Sequence, residues 1–300
     1  KYKGTSVSLI GIDKNYHSKR NNFFAFWLTD WMKDFDSLAQ KKWFCWNFYL
    51  TNNHIKHETK DLPYCTIRYQ DWKNYCLKGL ENLSIKEFNV QSITNLKKYY
   101  EIKLENGEEI FAKKIYDSRT PKLENEKVKQ HFFGYLIETK QMINSNSVTL
   151  MDFRVEQKMG LHFMYCLPID ENRMLVESTV FSSEIQEDAW YQKQILEYIE
   201  TKLNLSEYKI VDEEKGALPM YDIENKSSEN YINIGSRGGA TKISTGYAFS
   251  FFLKNIMLNF ENINKAHHSY FDKWMDKVFV NYLKNNSCLL YTSPSPRDKS

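Results

Sequence analysis

The segment INIGSRGGATKISTGYAFSFF, residues 232–252, concentrates Gly235, Gly238, Gly239 and Gly246, more than a third of the chain's 11 glycines. Thr241, Ser244 and Thr245 lie between them. Glycine at this density serves a sharp turn, or leaves backbone bare where another group must come close. The run NYINIG before it reads as a strand. After it, Phe249, Phe252, Leu253, Ile256, Met257 and Phe260 recur at helical spacing, with Ser250, Lys254 and Asn259 on the other side. Ser244 or Thr245 is placed to cap that helix. Strand, glycine loop and helix in this order aim backbone N–H groups and the positive end of a helix dipole at a ligand. That suits a phosphate or the edge of an electron-rich ring such as a flavin. An ordinary strand-to-helix turn accounts for the glycines equally well.

Glu177, in LVESTVFS (175–182), is the second candidate. Strand alternation puts Leu175, Glu177, Thr179 and Phe181 on one face, so the carboxyl sits among mostly apolar neighbours. Burial raises a carboxyl pKa and keeps the proton on, as a general acid needs. The alternative is a carboxylate paired with Arg154 or a lysine on an exposed strand. Asp152 and Arg154 in MDFR share a face, with Phe153 and Val155 on the other. They either shape the field around Glu177 or form an ordinary strand ion pair. Phe163, Tyr165 and Leu167 alternate in LHFMYCLP, as the walls of an apolar pocket or as plain core, and aromatic faces also stabilise cations.

These residues need a scaffold, and the composition permits one. With 300 residues, 42% of them hydrophobic, the chain can bury a large core in one domain or two interleaved ones. Its 41 basic and 38 acidic residues are evenly spread, which argues against nucleic acid. The cysteines Cys45, Cys65, Cys76, Cys166 and Cys288 form no CxxC pair or regular framework and read as mostly buried thiols in a reducing compartment. No apolar run is long enough to span a bilayer, so membrane contact is expected to be peripheral. His267 and His268, adjacent on a polar stretch, read as surface residues, and no metal site is expected. There is no GxGxxG, P-loop, GxSxG or HExxH.

The elements follow from periodicity. SVSLIGID (6–13) reads as a buried strand ending in an acid, and KKYYEIKLENGEEIFAKKIYDS as a hairpin around Asn106 and Gly107 whose second strand ends at Asp117. Residues 132–181 are strand-rich, and EDAWYQKQILEYIETKL has helical spacing at Trp190, Ile195, Tyr198 and Ile199. The tail CLLYTSPSPRDKS (288–300) reads as a non-native, adaptor-derived addition, with a Pro/Ser-rich disordered tail as the alternative.

FFAFW (23–27), PYCTIRYQDW (63–72), DSR (117–119), LMDFRVEQ (150–157), FMYCLP (163–168), LVESTVFS (175–182), EKGALPM (214–220) and the glycine segment together resemble, in order and spacing, the bacterial lycopene cyclase family of flavoproteins. The resemblance runs to about Phe279. It implies a mixed α/β fold of the glutathione-reductase and hydroxybenzoate-hydroxylase type, a Rossmann-like FAD domain interleaved with an antiparallel β substrate domain. The expected boundaries are 1–42, 64–125 and 213–262 for the FAD domain and 43–63 and 126–212 for the substrate domain. A C-terminal helical segment is expected over 263–287. In this family a GxGxxG loop follows the first strand. Here that loop is expected upstream of Lys1, and a chain without it is expected to be inactive by itself.

Position by position, the resemblance implies that Asp13 holds the adenosine ribose, that Arg68 packs near the phosphates and that Asp117 lies beside FAD. Gly235, Gly238, Gly239, Thr245 and Gly246 become the second cofactor loop. The implied reaction converts linear ψ-ends of lycopene or a related carotenoid into β-rings without net redox change, with Glu177 transferring the proton. Reduced FAD then supplies negative potential to a carbocation, and NAD(P)H is a possible electron source. The family often has a second acid after the first, and here that place is Ser178. A cytoplasmic enzyme touching the inner face of the cell membrane is the implied location. Two other readings stay open: a related isoprenoid reductase or monooxygenase, and a non-catalytic module that binds an apolar ligand.

Overall fold

The computed structural model describes residues 8–18, 22–224, 226–259 and 268–285. Phe260, His267, Cys288 and the 288–300 tail lie outside the described residues. In chain order the first part holds β1 (Leu9–Ile12), β2 (Phe23–Trp27), β3 (Lys41–Trp43), β4 (Cys45–Leu50), β5 (Asn53–Glu58), β6 (Tyr64–Arg68) and α1 (Tyr69–Leu77). There follow β7 (Leu83–Lys86), β8 (Val90–Asn95), β9 (Tyr100–Leu104), β10 (Glu109–Ala112) and β11 (Ile115–Asp117). The second half holds β12 (Lys129–Thr139), β13 (Val148–Asp152), β14 (Leu161–Pro168), β15 (Arg173–Ser182), α2 (Asp188–Thr201) and β16 (Tyr208–Pro219). Last come β17 (Tyr231–Asn233), α3 (Phe249–Asn259) and α4 (Tyr270–Asn285).

A seven-stranded sheet in the order β16-β12-β15-β14-β13-β4-β5 is the frame on which the rest is mounted. Its neighbours are antiparallel except for the parallel pair of β13 and β4. β15 is buried on both faces, as a central strand covered from both sides must be. One face, carrying Phe133, Tyr135, Met164, Cys166, Met174, Val176 and Val180, packs on α2 through Tyr191, Ile195, Tyr198 and Ile199. Ile195 and Ile199 are fully buried, each worth about 1.5–3 kcal/mol of transfer free energy.

A smaller sheet, β2-β6-β3, covers the other face. Trp43 and Tyr64 from it join Val148, Leu150, Leu167 and Leu175 of the large sheet in one core. The outer side of the small sheet receives α3, where Phe249 stacks 4.8 Å from Phe24 and lies 4.7 Å from Phe26 and 5.1 Å from Trp72. The meander β10-β9-β8 makes a third body, packing Ile102, Leu104 and Ile110 against Ile12 and Ile115. The parallel pairs β1-β7 and β11-β17 therefore share one apolar support at Ile12 and Ile115.

Several sequence expectations are corrected by these contacts. β1 pairs with β7 alone among the described residues, and Leu9 and Ile10 stay exposed rather than buried. The Asn106–Gly107 hairpin forms, but its second arm breaks after Ala112. Ile115 to Asp117 then join a different sheet, in parallel with β17. The expected boundary at residue 213 falls inside β16, which pairs with β12 from Tyr208 to Pro219 and belongs to the large sheet throughout. Neither Ser244 nor Thr245 caps the last-named helix. The N–H groups of Thr245 and Gly246 donate to the Lys242 carbonyl in a turn, and α3 starts at Phe249. On α3, Leu253 is buried but Met257 is exposed. Cys65 and Cys166 are buried, Cys45 is half-buried and Cys76 exposed. His268 precedes α4, half-buried, with its ring stacked on Phe251 and its Nε2 3.1 Å from the Ala240 carbonyl. Among the described residues no helix is long and apolar enough to cross a membrane.

α2 is tied to the sheet by more than apolar contact. The Tyr198 hydroxyl donates to the fully buried carboxylate of Asp152 at 2.7 Å, which Arg154 also grips through Nε and Nη2 at 2.9 and 2.6 Å. Burial alone would raise the Asp152 pKa; the Arg154 and Tyr198 hydrogen bonds outweigh it and hold it below its ordinary value. Tyr198→Phe is expected to cost about 1.5–3 kcal/mol in denaturant unfolding, the range for a buried hydrogen bond to a charge. An unchanged unfolding midpoint would show that this bond does not contribute.

Candidate active site

Glu177 sits mid-way along β15 on the face turned to the small sheet, directly paired with Gly134 of β12 and Tyr165 of β14. Its side chain is 8% exposed, and its Oε1 accepts a 2.6 Å hydrogen bond from Thr179 Oγ1. Among the described residues neither Arg154 nor a lysine pairs with it. Burial, and then the nearby Glu214, push its pKa up to about 8, against the smaller opposing effect of Thr179. The carboxyl therefore keeps its proton at neutral pH.

Glu214 reaches the same place from β16. Gly134 pairs with Glu177 on one side and with Glu214 on the other. A Cβ at residue 134 would lie 3.3 Å from Leu175 Cδ1 and 3.4 Å from both Glu177 Cβ and Glu214 Cγ, so both acids flank this glycine. Asn22 Nδ2 donates to Glu214 Oε2 at 2.8 Å, and Glu214, half-buried, is also raised by burial. Glu214, Gly134 and Asn22 were not singled out in the sequence as functional. The motif EKGALPM contains Glu214, but only the register across β12 places it opposite Glu177.

Three tyrosines line the approach to Glu177. Tyr64 OH is 2.7 Å from Tyr165 OH and 3.1 Å from Tyr247 OH. The Trp27 ring stands edge-on to Tyr64 at 4.8 Å and to Tyr247 at 5.4 Å. Burial drives the Tyr64 and Tyr165 hydroxyls well above their ordinary range and Tyr247 up to about 12, so all three stay neutral donors. Tyr247 is 36% exposed overall, yet its hydroxyl points inward to this cluster. Of the expected pocket residues, Tyr165 belongs to this cluster. Leu167 lies deeper in the same core, and Phe163 packs against Phe153 and Phe181 further along the face.

Tyr247 also links the acid to the glycine segment. Gly235, Gly239 and Gly246 have φ of 60°, 79° and 73°, the left-handed region that favours glycine. At Gly235 and Gly239 nothing lies within 4 Å of the space a Cβ would fill, whereas at Gly238 a Cβ would strike the Asn233 carbonyl. Gly238 is thus a turn glycine, and Gly235 and Gly239 leave open backbone. Beside Gly246, the buried oxygens Thr245 Oγ1 and Gln130 Oε1 have no hydrogen-bond partner among the described residues. Open backbone at Gly235 and Gly239 and unpaired oxygens beside Gly246, all in one segment, fit a polar cofactor lying against it.

Asp117 anchors the loop. Its carboxylate, 4% exposed at the end of β11, accepts from Arg119 Nε and Nη2 at 3.0 and 2.8 Å and from Tyr231 OH at 2.6 Å, and it forms an ion pair at 3.0 Å with Arg237 Nε, whose N–H donates to Asn233 Oδ1. Burial opposes ionisation, but the Arg119 and Tyr231 hydrogen bonds take its pKa down to about 2. With these partners, Asp117 fixes Arg237 inside the Gly235–Gly238 turn. Asp13 follows β1 and accepts from the Asn15 N–H at 2.9 Å, and Arg68 ends β6, half-buried. Among the described residues Arg68 forms no ion pair.

Asp152 and Arg154 are not brought to Glu177. Asp152 pairs with Met164, and Tyr198 of α2 binds it, so the pair lies on the opposite face of the sheet. Alternation also fails after Asp152, where β13 ends: Phe153 packs toward Phe163 while Val155 turns back to the α2 core.

A sequence model described as lycopene cyclase protein matches residues 2–274. The chain belongs to the lycopene cyclase family. A search of curated protein sequences gave no match. Among solved structures, a geranylgeranyl bacteriochlorophyll reductase-like protein from Thermoplasma acidophilum superposes with a TM-score of 0.63 at 10% identity, over 93% of this chain and 73% of that one. A p-nitrophenol 4-monooxygenase from Pseudomonas putida gives 0.59 at 10% identity, over 98% and 85%. A flavin-dependent brominase gives 0.57 at 14% identity, over 97% and 85%. At such identities the likeness establishes the fold. It is the mixed α/β, Rossmann-like fold of FAD-dependent enzymes, as the resemblance implies for lycopene cyclases.

The raised Glu177 pKa makes stability pH-dependent. A group whose folded pKa is raised contributes its full stability below its unfolded pKa, near 4.5, and that contribution is lost as pH rises through about 8. Wild-type stability is therefore expected to fall between these values, and Glu177→Gln to remove most of the fall. The variant should gain on the order of 3 kcal/mol over wild type at pH 8, read by denaturant unfolding at several pH values. Parallel curves for the two proteins would contradict the buried, protonated carboxyl.

Proposed function

We propose that the protein is a lycopene cyclase that converts ψ-ends of lycopene, or a related linear carotenoid, into β-ionone rings by proton transfer without net redox change. The observation that carries this reading is the buried Glu177 carboxyl beside Tyr165 and Tyr247, which Tyr64 and Trp27 join into one aromatic cluster next to the glycine turn. Protonating an unactivated alkene needs an acid that still holds its proton in a dry pocket and surroundings that tolerate the cation. Glu177 meets the first need, and the aromatic faces meet the second.

In the proposed step the Glu177 proton adds to the terminal double bond, and the π electrons of the next double bond close the ring. A different proton then leaves the resulting cation and is released to water, while Glu177 has given one up, so atoms and electrons balance as an isomerisation. Thr179 orients the carboxyl through its 2.6 Å hydrogen bond, and the tyrosine chain holds the hydroxyls in fixed directions around the reacting end. FAD is the proposed cofactor; when bound and reduced it supplies negative potential to the cation. Gly235, Gly239, Thr245 and Gly246 would hold it, with Asp13 and Arg68 toward its adenosine and phosphate end and Asp117 fixing the loop through Arg237. NAD(P)H as electron source and peripheral contact with the inner face of the cell membrane belong to the same proposal, the latter because the polyene partitions into lipid.

A second reading, reduction or oxygenation of another isoprenoid, takes its support from the fold shared with the geranylgeranyl bacteriochlorophyll reductase-like protein. Product analysis separates the two. Lycopene-accumulating cells expressing the full-length protein are expected to yield β-rings, and Glu177→Gln to lower that yield about 100-fold or more. Unchanged lycopene with intact Glu177 and retained flavin would overturn the cyclase reading. Steady NADPH consumption with a reduced or oxygenated product would put the second in its place.

A further inference from the structure

Glu177 is buried in the centre of β15 under the small sheet, with 8% of its surface exposed. An acid in that position needs a way to recover its proton after each turnover if the proton lost from the product does not return to it. The sheet supplies one neighbour suited to this. Glu214 lies across Gly134 on the same face, and its other side meets Asn22, which is exposed. At that edge Glu214 is half-buried, so part of it meets bulk water beside Asn22. Glu214 therefore touches solvent on one side and the space next to Glu177 on the other.

We propose that Glu214 is the proton relay of this site, passing protons from solvent beside Asn22 to Glu177. The step is a simple transfer: the Glu214 O–H bond breaks, its proton joins the Glu177 carboxylate, and the proton that the product has released to water returns to Glu214 at its exposed edge. No redox partner is involved. Gly134 is the residue between them: a Cβ there would meet Leu175 Cδ1 at 3.3 Å and Glu177 Cβ and Glu214 Cγ at 3.4 Å, so a side chain would share the space that the two acids flank. Asn22 is a positioning residue. Its Nδ2 holds Glu214 Oε2 at 2.8 Å and favours the ionised form, while burial and Asp212 favour the neutral one. The groups facing Glu177 are Thr179 on its own strand, Tyr165 on β14, Tyr247 from the glycine segment and Glu214 on β16; Tyr64 connects through the two tyrosines.

This relay rests on the cyclase reading, and its test separates the two. In the full-length protein, Glu214→Gln is expected to lower kcat for ring formation about 100-fold with KM unchanged, and to move the alkaline limb of the pH profile to lower pH. Glu214→Asp should restore part of the rate. Gly134→Ala, with both acids intact, should slow turnover in the same way. Independently of activity, the pH-dependent loss of stability assigned to Glu177 should end at lower pH in Glu214→Gln, because one of two like charges has gone. Wild-type kcat and an unshifted stability curve in Glu214→Gln would overturn the relay while leaving the cyclase reading in place. If wild type forms no rings, the cyclase reading fails and the relay with it, and a stability curve that still shifts reports only the charge interaction between the two carboxyls.

Discussion

A carboxyl group removed from water, with a second carboxyl across a single glycine, is the constraint to which the other parts of this molecule answer. Glu177 can be buried only because it stays protonated, and it stays protonated because two sheets exclude solvent around it. The seven-stranded sheet provides a rigid, fully paired strand for it. The small sheet of β2, β6 and β3 closes over it with Tyr64, Trp27 and Trp43. Such an arrangement costs stability at neutral pH, which is the expected signature of a group kept for chemistry and not for packing.

The opposite face of the large sheet carries the stabilising load. Asp152, held by Arg154 and Tyr198, is as buried as Glu177 but lies in a saturated network, so its charge is matched and its pKa lowered. The two acids show how one sheet sets opposite protonation states. A cation and a phenol beside the carboxylate favour charge, whereas apolar walls and a like charge disfavour it. The glycine segment joins the second situation. Its last turn places Tyr247 in the aromatic cluster and Gly246 against Gln130, on the same face of β12 as Gly134, which the two acids flank.

Much of this was legible from residues alone where the period of two operates. The face containing Leu175, Glu177, Thr179 and Phe181, and that of Phe163, Tyr165 and Leu167, follow from alternation within single strands. The reading failed where it crossed a strand end. A role for Asp152 and Arg154 beside Glu177 needs MDFR to continue as strand; β13 stops at Asp152, and the two form the ion pair that was the other reading. Glu214 was invisible as a partner because its meeting with Glu177 depends on the register of two strand pairs through Gly134, which no local pattern encodes. The capping preference of Ser244 and Thr245 likewise lost to a turn closed by the Lys242 carbonyl. The resemblance of ordered motifs to lycopene cyclases supplied the fold, because sheet order depends on pairings between strands far apart in the chain.

Infrared difference spectroscopy of the carboxyl stretch, comparing wild type with Glu177→Gln between pH 5 and pH 9, tests the buried acid most directly. The account predicts a protonated-carboxyl band that persists at neutral pH, disappears as pH rises through about 8 and is missing in the variant. A band already lost in wild type near the ordinary carboxyl pKa of about 4.5 would mean that Glu177 is ionised at neutral pH, and the proposed proton donor would be contradicted.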